Sequence, residues 1–208
     1  MPDTYAQPPD PTKHRERVEE FRALRATIRE RGSCRVVLAV AGLSIWALLH
    51  LAIQIWLPTP VTFLVALLVL AAAFEAVFAL HVGVERIGRY LEAAYEATDK
   101  NAKNQVSDDP GPGWEHAAHA FGALSGDAAG RVDPLFGVLF VSATLLNVVP
   151  VVLMTLGTGG PGAGPLSELA LYGGLHLAVI VRIARARRFA GRQRDQELDI
   201  FTKLTRRD

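Results

Sequence analysis

The sequence predicts an all-α integral membrane protein: a bundle of four transmembrane helices, N-in and C-in, with amphipathic cytoplasmic helices at both termini and in the middle loop. Three observations predict it. Mean hydropathy is +0.21 and only 21% of the 208 residues are charged, a balance uncommon in soluble domains. Four apolar runs are each long enough to cross a bilayer. Every Lys and Arg falls in one of three stretches, eight in 11–35, five in 83–133 and nine in 182–208.

The first span is 34–57, where Val36 to Leu57 gives 22 residues without a charge, about 33 Å of helix against a hydrocarbon core of about 30 Å. Pro58-Thr59-Pro60 leaves room only for a tight turn before the second span, 61–82, which carries one charge, Glu75. The third span, 134–157, has none and ends in a Gly- and Pro-rich external loop at 158–165. The fourth, 166–183, is the weakest, with Glu168 near one end and Arg182 near the other, both expected to snorkel toward the interfaces. The connections at 58–60 and 157–165 hold no basic residue, so the positive-inside rule places both short loops outside and both termini, with the 83–133 loop, in the cytoplasm. Three spans would leave nine basic residues on the wrong side. No cleavable signal pattern precedes the first span, which is expected to act as the insertion signal.

The flanks carry their own periodicity. Residues 1–12 are proline-rich and read as a disordered tail, whereas 13–33 places Val18, Phe21, Leu24 and Ile28 three and four apart, an amphipathic cytoplasmic helix. Gly32 and Ser33 read as a break and an N-cap before the first span. This helix reads either as an in-plane anchor on anionic lipid or as a helix packed on its neighbours; four Glu among its basic residues favour packing. The C-terminal helix, 184–208, carries a narrower stripe of Phe189, Leu198, Phe201 and Leu204, and the two terminal helices are placed to pair with each other. The second span runs on through Val84, Ile87, Leu91, Ala94 and Tyr95, and a short helix, Trp114 to Leu124, follows Asp-Asp-Pro-Gly-Pro-Gly. With nine acidic and five basic residues, the 83–133 loop suits the two basic flanks, but it is small for a catalytic domain.

Helical rise sets Asn147 and His176 near mid-membrane, with Glu75 about 5 Å to the cytoplasmic side and His50 about 5 Å to the outer side. A lone carboxylate in hydrocarbon costs a few kcal/mol, so Glu75 is expected to face the bundle, with His176 as its best partner. One reading of this layer is a proton relay or ion site; the preferred one is an interhelical hydrogen bond that fixes register at about 1 kcal/mol. Ala71, Glu75 and Ala79 on the second span, and Ala170, Gly174 and Ala178 on the fourth, place small residues where backbones can approach closely. Pro150 is expected to kink the third span near Asn147.

Other chemistry finds less support. Of the membrane histidines, only His50 with His176 lie at depths suited to axial haem ligation. Glu115, His116 and His119 crowd one turn of the loop, but their order is not H-E-x-x-H, and a solvated face is the simpler reading. Cys34 alone gives no disulfide framework. No P-loop occurs, Gly122 to Gly126 has its serine one place too late for G-x-S-x-G, and Ser44 and Ser142 lack the glycine-rich setting of an intramembrane nucleophile. No cofactor, metal or nucleic-acid partner is predicted.

Three classes of function remain. The first is an accessory, scaffold or anchoring subunit acting through its cytoplasmic helices, with the lipid bilayer, and further copies or a larger membrane complex, as partners. The second is an oligomeric channel or small transporter using Glu75, Asn147 and His176, which needs symmetry because four helices enclose little volume. The third is a haem or metal redox protein. The Ala- and Arg-rich composition suggests a bacterium of high GC content and its inner membrane.

Overall fold

The computed structural model describes residues 11–96, 134–157 and 166–205. These residues form four long helices: α1 (Pro11–Trp56), α2 (Pro60–Leu91), α3 (Pro134–Gly157) and α4 (Leu166–Thr205). A π-helical turn, Glu92–Glu96, continues α2. All four helices are long and apolar enough to cross a membrane. Of the expected tail over 1–12, residues 1–10 lie outside the described residues, as do the short helix at Trp114 to Leu124 with Glu115, His116 and His119 and the loop at 158–165, while Pro11 and Thr12 open α1.

The turn between α1 and α2 occupies residues 57–59. Thr59 sits in extended conformation (φ −121°, ψ 153°) as the N-cap, its hydroxyl accepting from the Thr62 amide while the Thr62 hydroxyl accepts from the Thr59 amide. Pro60 then fills the first helical position, where a missing N–H costs nothing. The Pro-Thr-Pro run therefore stops one helix and starts the next.

Two expected breaks are absent. α1 runs unbroken through Gly32 and Ser33, so the separate 13–33 helix and its N-cap are corrected together: the segment is coaxial with the apolar part of α1 and packs on α2. A single glycine in a helix costs about 1 kcal/mol, too little to end one flanked by good helix formers. Likewise α4 continues from its apolar part to Thr205 without a joint at residue 184. At 46 residues, α1 is about 69 Å long. More than half of that length stands outside what a bilayer core needs.

α2 is the central helix, packed against α1, α3 and α4, while α1 and α4 make no extensive contact with each other. The terminal segments therefore do not pair directly; each packs on the continuation of α2. The core is aromatic and small: Phe63, Phe74 and Phe140 interlock with Ala39, Ala66, Ala143 and Ala186, and Phe74 meets Phe140 edge-on at 5.5 Å. α1 and α2 approach closely at Gly42, where an added Cβ would stand 2.4 Å from the Ala73 Cβ. Close approach thus uses a pair the sequence pattern did not single out. Of the small residues it did, Ala79, Ala170, Gly174 and Ala178 are exposed and Ala71 is half-buried, so within one chain they do not mediate tight packing.

Where α1, α2 and α4 extend together beyond their apolar parts, they form a polar end. Glu20 accepts from the Tyr90 hydroxyl at 3.0 Å and the Tyr95 hydroxyl at 2.7 Å. Burial, followed by this carboxylate, pushes both phenols above their ordinary range. Phe21 packs on Tyr95 and Phe201 on Tyr90. Arg17 donates to the Ala94 carbonyl in the π turn at 3.0 Å and lies over the Tyr95 ring. On the α4 side Glu197 accepts from Arg86 at 3.1 Å, and also from Arg89 and Gln193. Arg89 is 4% exposed and also reaches Glu85 at 3.6 Å. A buried arginine held by two carboxylates ties α2 to α4, where breaking one link leaves a charge stranded.

Candidate functional site

Three of the four residues expected in a mid-membrane polar layer do meet, and the meeting point is Asn147. It projects from α3, is 0% exposed, and touches each of the other three helices. Its Oδ1 accepts from the Trp46 indole at 3.3 Å and from His50 Nδ1 at 3.0 Å, both on α1. Its Nδ2 donates to the Phe63 carbonyl on α2 at 3.1 Å and to His176 Nε2 on α4 at 2.9 Å. An amide has two acceptor positions and two donor hydrogens. All four are occupied.

Two of these partners are one-way, and they set the rest. The indole N–H only donates and the peptide C=O only accepts, which fixes the amide's orientation. His50 must then carry its proton on Nδ1, and His176 must present a bare Nε2. The other ring nitrogen of His176 donates to the Tyr172 carbonyl at 2.7 Å, as that tautomer requires. Tyr172 closes the loop by donating its hydroxyl to the Asn147 backbone carbonyl. Pro150 has no N–H, so the α3 carbonyl that loses its helical donor is that of Leu146, next to Asn147. Pro150 stands inside an α3 that continues to Gly157.

Trp46 and Tyr172 were not singled out in the sequence. The available signal was spacing: Trp46 precedes His50, and Tyr172 precedes His176, by one helical turn, so each pair shares a face. The Tyr172 and His176 rings lie 4.2 Å apart and those of Trp46 and His50 5.5 Å apart. Each histidine is thus backed by an aromatic side chain that donates to Asn147.

Glu75 is elsewhere. The expected pairing with His176 does not form; Arg182 donates to the Glu75 carboxylate at 2.8 Å and lies over the Phe78 ring at 5.2 Å. Arg182 therefore meets a carboxylate on the neighbouring helix. The pair is on the outside of the bundle, the side chains of Arg182 and Glu75 being 45% and 48% exposed. The expected inward-facing carboxylate in the Asn147 layer is corrected: Glu75 points away from the core and stands about 18 Å of helix along α2 from the Phe63 carbonyl that meets Asn147.

His81, at the end of the second apolar run, is buried and takes a hydrogen bond from Arg35 at 2.9 Å, while Arg35 also covers the Phe136 ring. This second link joins α1, α2 and α3 nearer the polar end. A haem between His50 and His176 does not fit the arrangement, because the space between their facing nitrogens holds the Asn147 amide. Among the described residues no three His, Cys, Asp or Glu side chains cluster to hold a metal ion.

No family model, curated protein or solved structure matches the chain. What it does must be argued from this geometry.

Proposed function

We propose that the chain is a non-enzymatic scaffold or anchoring subunit, inserted four times in a bacterial inner membrane with both termini inside, that presents a helical platform to a protein partner in the cytoplasm. The observation that carries this reading is continuity. α1 and α4 run without a joint from apolar spans into polar extensions, and both are clamped there to the continuation of α2 by Glu20 and Glu197. The orientation follows from the basic residues gathered at that end.

The platform offers a docking surface. Of the stripe read in the C-terminal helix, Phe201 and Leu198 are half-buried, while Phe189 and Leu204, with Ile200, are exposed. Each of these three is more than half exposed on a segment that lies beyond the fourth apolar run. The polar layer supports a structural role in the membrane, because a saturated amide leaves no vacant lone pair to relay a proton.

The test has two arms. Protein extracted gently from its native membrane should carry a second polypeptide in a native mass spectrum, and Phe189→Ser with Ile200→Ser and Leu204→Ser should remove it while thermal stability holds. Purified protein in liposomes should conduct no protons or ions. Flux that disappears in Glu75→Gln or His176→Gln would overturn the scaffold reading in favour of a channel or transporter.

A further inference from the structure

The outward face shared by α2 and α4 carries more small residues than that of α1, set among exposed leucines such as Leu68, Leu171 and Leu177. Exposed positions on α1 are bulky and aliphatic, among them Val37, Val40, Leu48 and Ile55, as suits contact with acyl chains. Around Glu75 the exposed positions of α2 are Ala72, Ala76 and Ala79, and those of α4 include Ala170, Gly173, Gly174 and Ala178. Between the two helices runs an apolar groove of about 430 Å³, lined by Leu64, Leu68, Ala71, Leu175 and Ala178, with Arg182 at its edge. Small residues suit close helix approach in a bilayer, where large ones face lipid. The ion pair adds a stronger demand. One hydrogen bond joins Arg182 to Glu75, yet a guanidinium has five donors and a carboxylate about four acceptor sites, and hydrocarbon satisfies none of the remainder.

We propose that this face is a homodimer interface, in which each Glu75 also meets the Arg182 of a second copy across a two-fold axis. Charge complementarity selects the occupant. The patch holds one charge of each sign, so a two-fold operation sets carboxylate against guanidinium twice and closes a ring of four charges. An isologous contact needs this self-complementary pattern. An acyl chain fills the groove but pairs with neither charge. A different protein would have to supply both charges in mirror order. The same operation lets α4 of each copy, smoothed by Gly174 and Ala178, lie along the groove of the other. The interface goes beyond the scaffold reading and does not depend on it, since it requires only this chain.

Gly174→Leu is the discriminating variant. A Cβ added at Gly174 meets nothing within 4 Å in the single chain and the position is exposed, so folding should be untouched while the two-fold contact is blocked. Self-association of purified, labelled protein in liposomes, read by energy transfer as protein is diluted into lipid, should be weakened about tenfold or more, a loss of about 1.4 kcal/mol. Leu48→Phe on the α1 face should leave association unchanged. Glu75→Arg should also weaken it, and Glu75→Arg combined with Arg182→Glu should restore it. A wild-type protein that stays monomeric at every dilution, or equal effects of Gly174→Leu and Leu48→Phe, would overturn the proposal. So would a native mass spectrum in which single chains retain lipid or a foreign polypeptide that Gly174→Leu displaces.

Discussion

Asn147 and Glu75 are both polar side chains on apolar helices, yet the first is 0% exposed and the side chain of the second is 48% exposed. The difference is one of counting. A neutral amide offers four hydrogen-bonding positions, and three neighbouring helices supply four matching groups, so a single chain can satisfy it completely. A carboxylate with its guanidinium carries more positions than two side chains can fill, and turning the pair inward would cost desolvation of both charges. The neutral hub is therefore placed where the helices converge. The ion pair is left on the surface, where other groups can complete it.

The largest expected effect tests the sealed side. Asn147→Leu strands the Trp46 indole and His50 and leaves His176 Nε2 without its donor, and should lower unfolding free energy by about 2–3 kcal/mol, measured by reversible denaturation in mixed micelles. A change under about 0.5 kcal/mol would break the contrast. Next, Gly42→Ala forces a Cβ against Ala73 and should cost about 1–2 kcal/mol, with Ala73→Gly recovering most of it in a double-mutant cycle. His176→Leu removes one of four partners of the amide and should cost about 1 kcal/mol. Glu75→Gln in the isolated monomer leaves Arg182 an amide oxygen to donate to and should cost less than Asn147→Leu; a loss as large as that of Asn147→Leu would show that exposure does not separate the two sites.

The smallest effect belongs to the polar end. Tyr90 and Tyr95 are held above their ordinary phenol range by burial and Glu20, so the folded state keeps their protons where the unfolded chain releases them. The stability this provides is complete below pH about 10 and declines as pH rises further. Tyr95→Phe should flatten that decline in a melting-temperature profile.

Hydropathy made four helices long and apolar enough to cross a membrane legible, because the length of an apolar run is a one-dimensional property. Depth was legible for the same reason: His50, Asn147 and His176 were read at neighbouring heights and do converge. Azimuth was not. Glu75 faces out of the bundle and stands about 18 Å of helix along α2 from the Phe63 carbonyl that meets Asn147, and only the positions of neighbouring helices decide which residues share a level and which way a side chain faces. The same lack hid Gly42 and Ala73, whose contact needs two helices aligned in register. Gly32 and Ser33 were read as a joint from local preference alone, and the continuity of α1 shows how little a lone glycine weighs against strong helix formers on both sides.

That continuity makes the membrane and extramembrane parts of α1 one lever. From near Trp46 to Pro11 the helix runs about 53 Å, so a tilt of about 10° inside the bilayer, well within the usual range, carries its far end sideways by about 9 Å. With no hinge at Gly32 and with Tyr90, Tyr95 and Arg17 fastening that lever to α2, any tilt of the apolar part is delivered, enlarged, at the polar end.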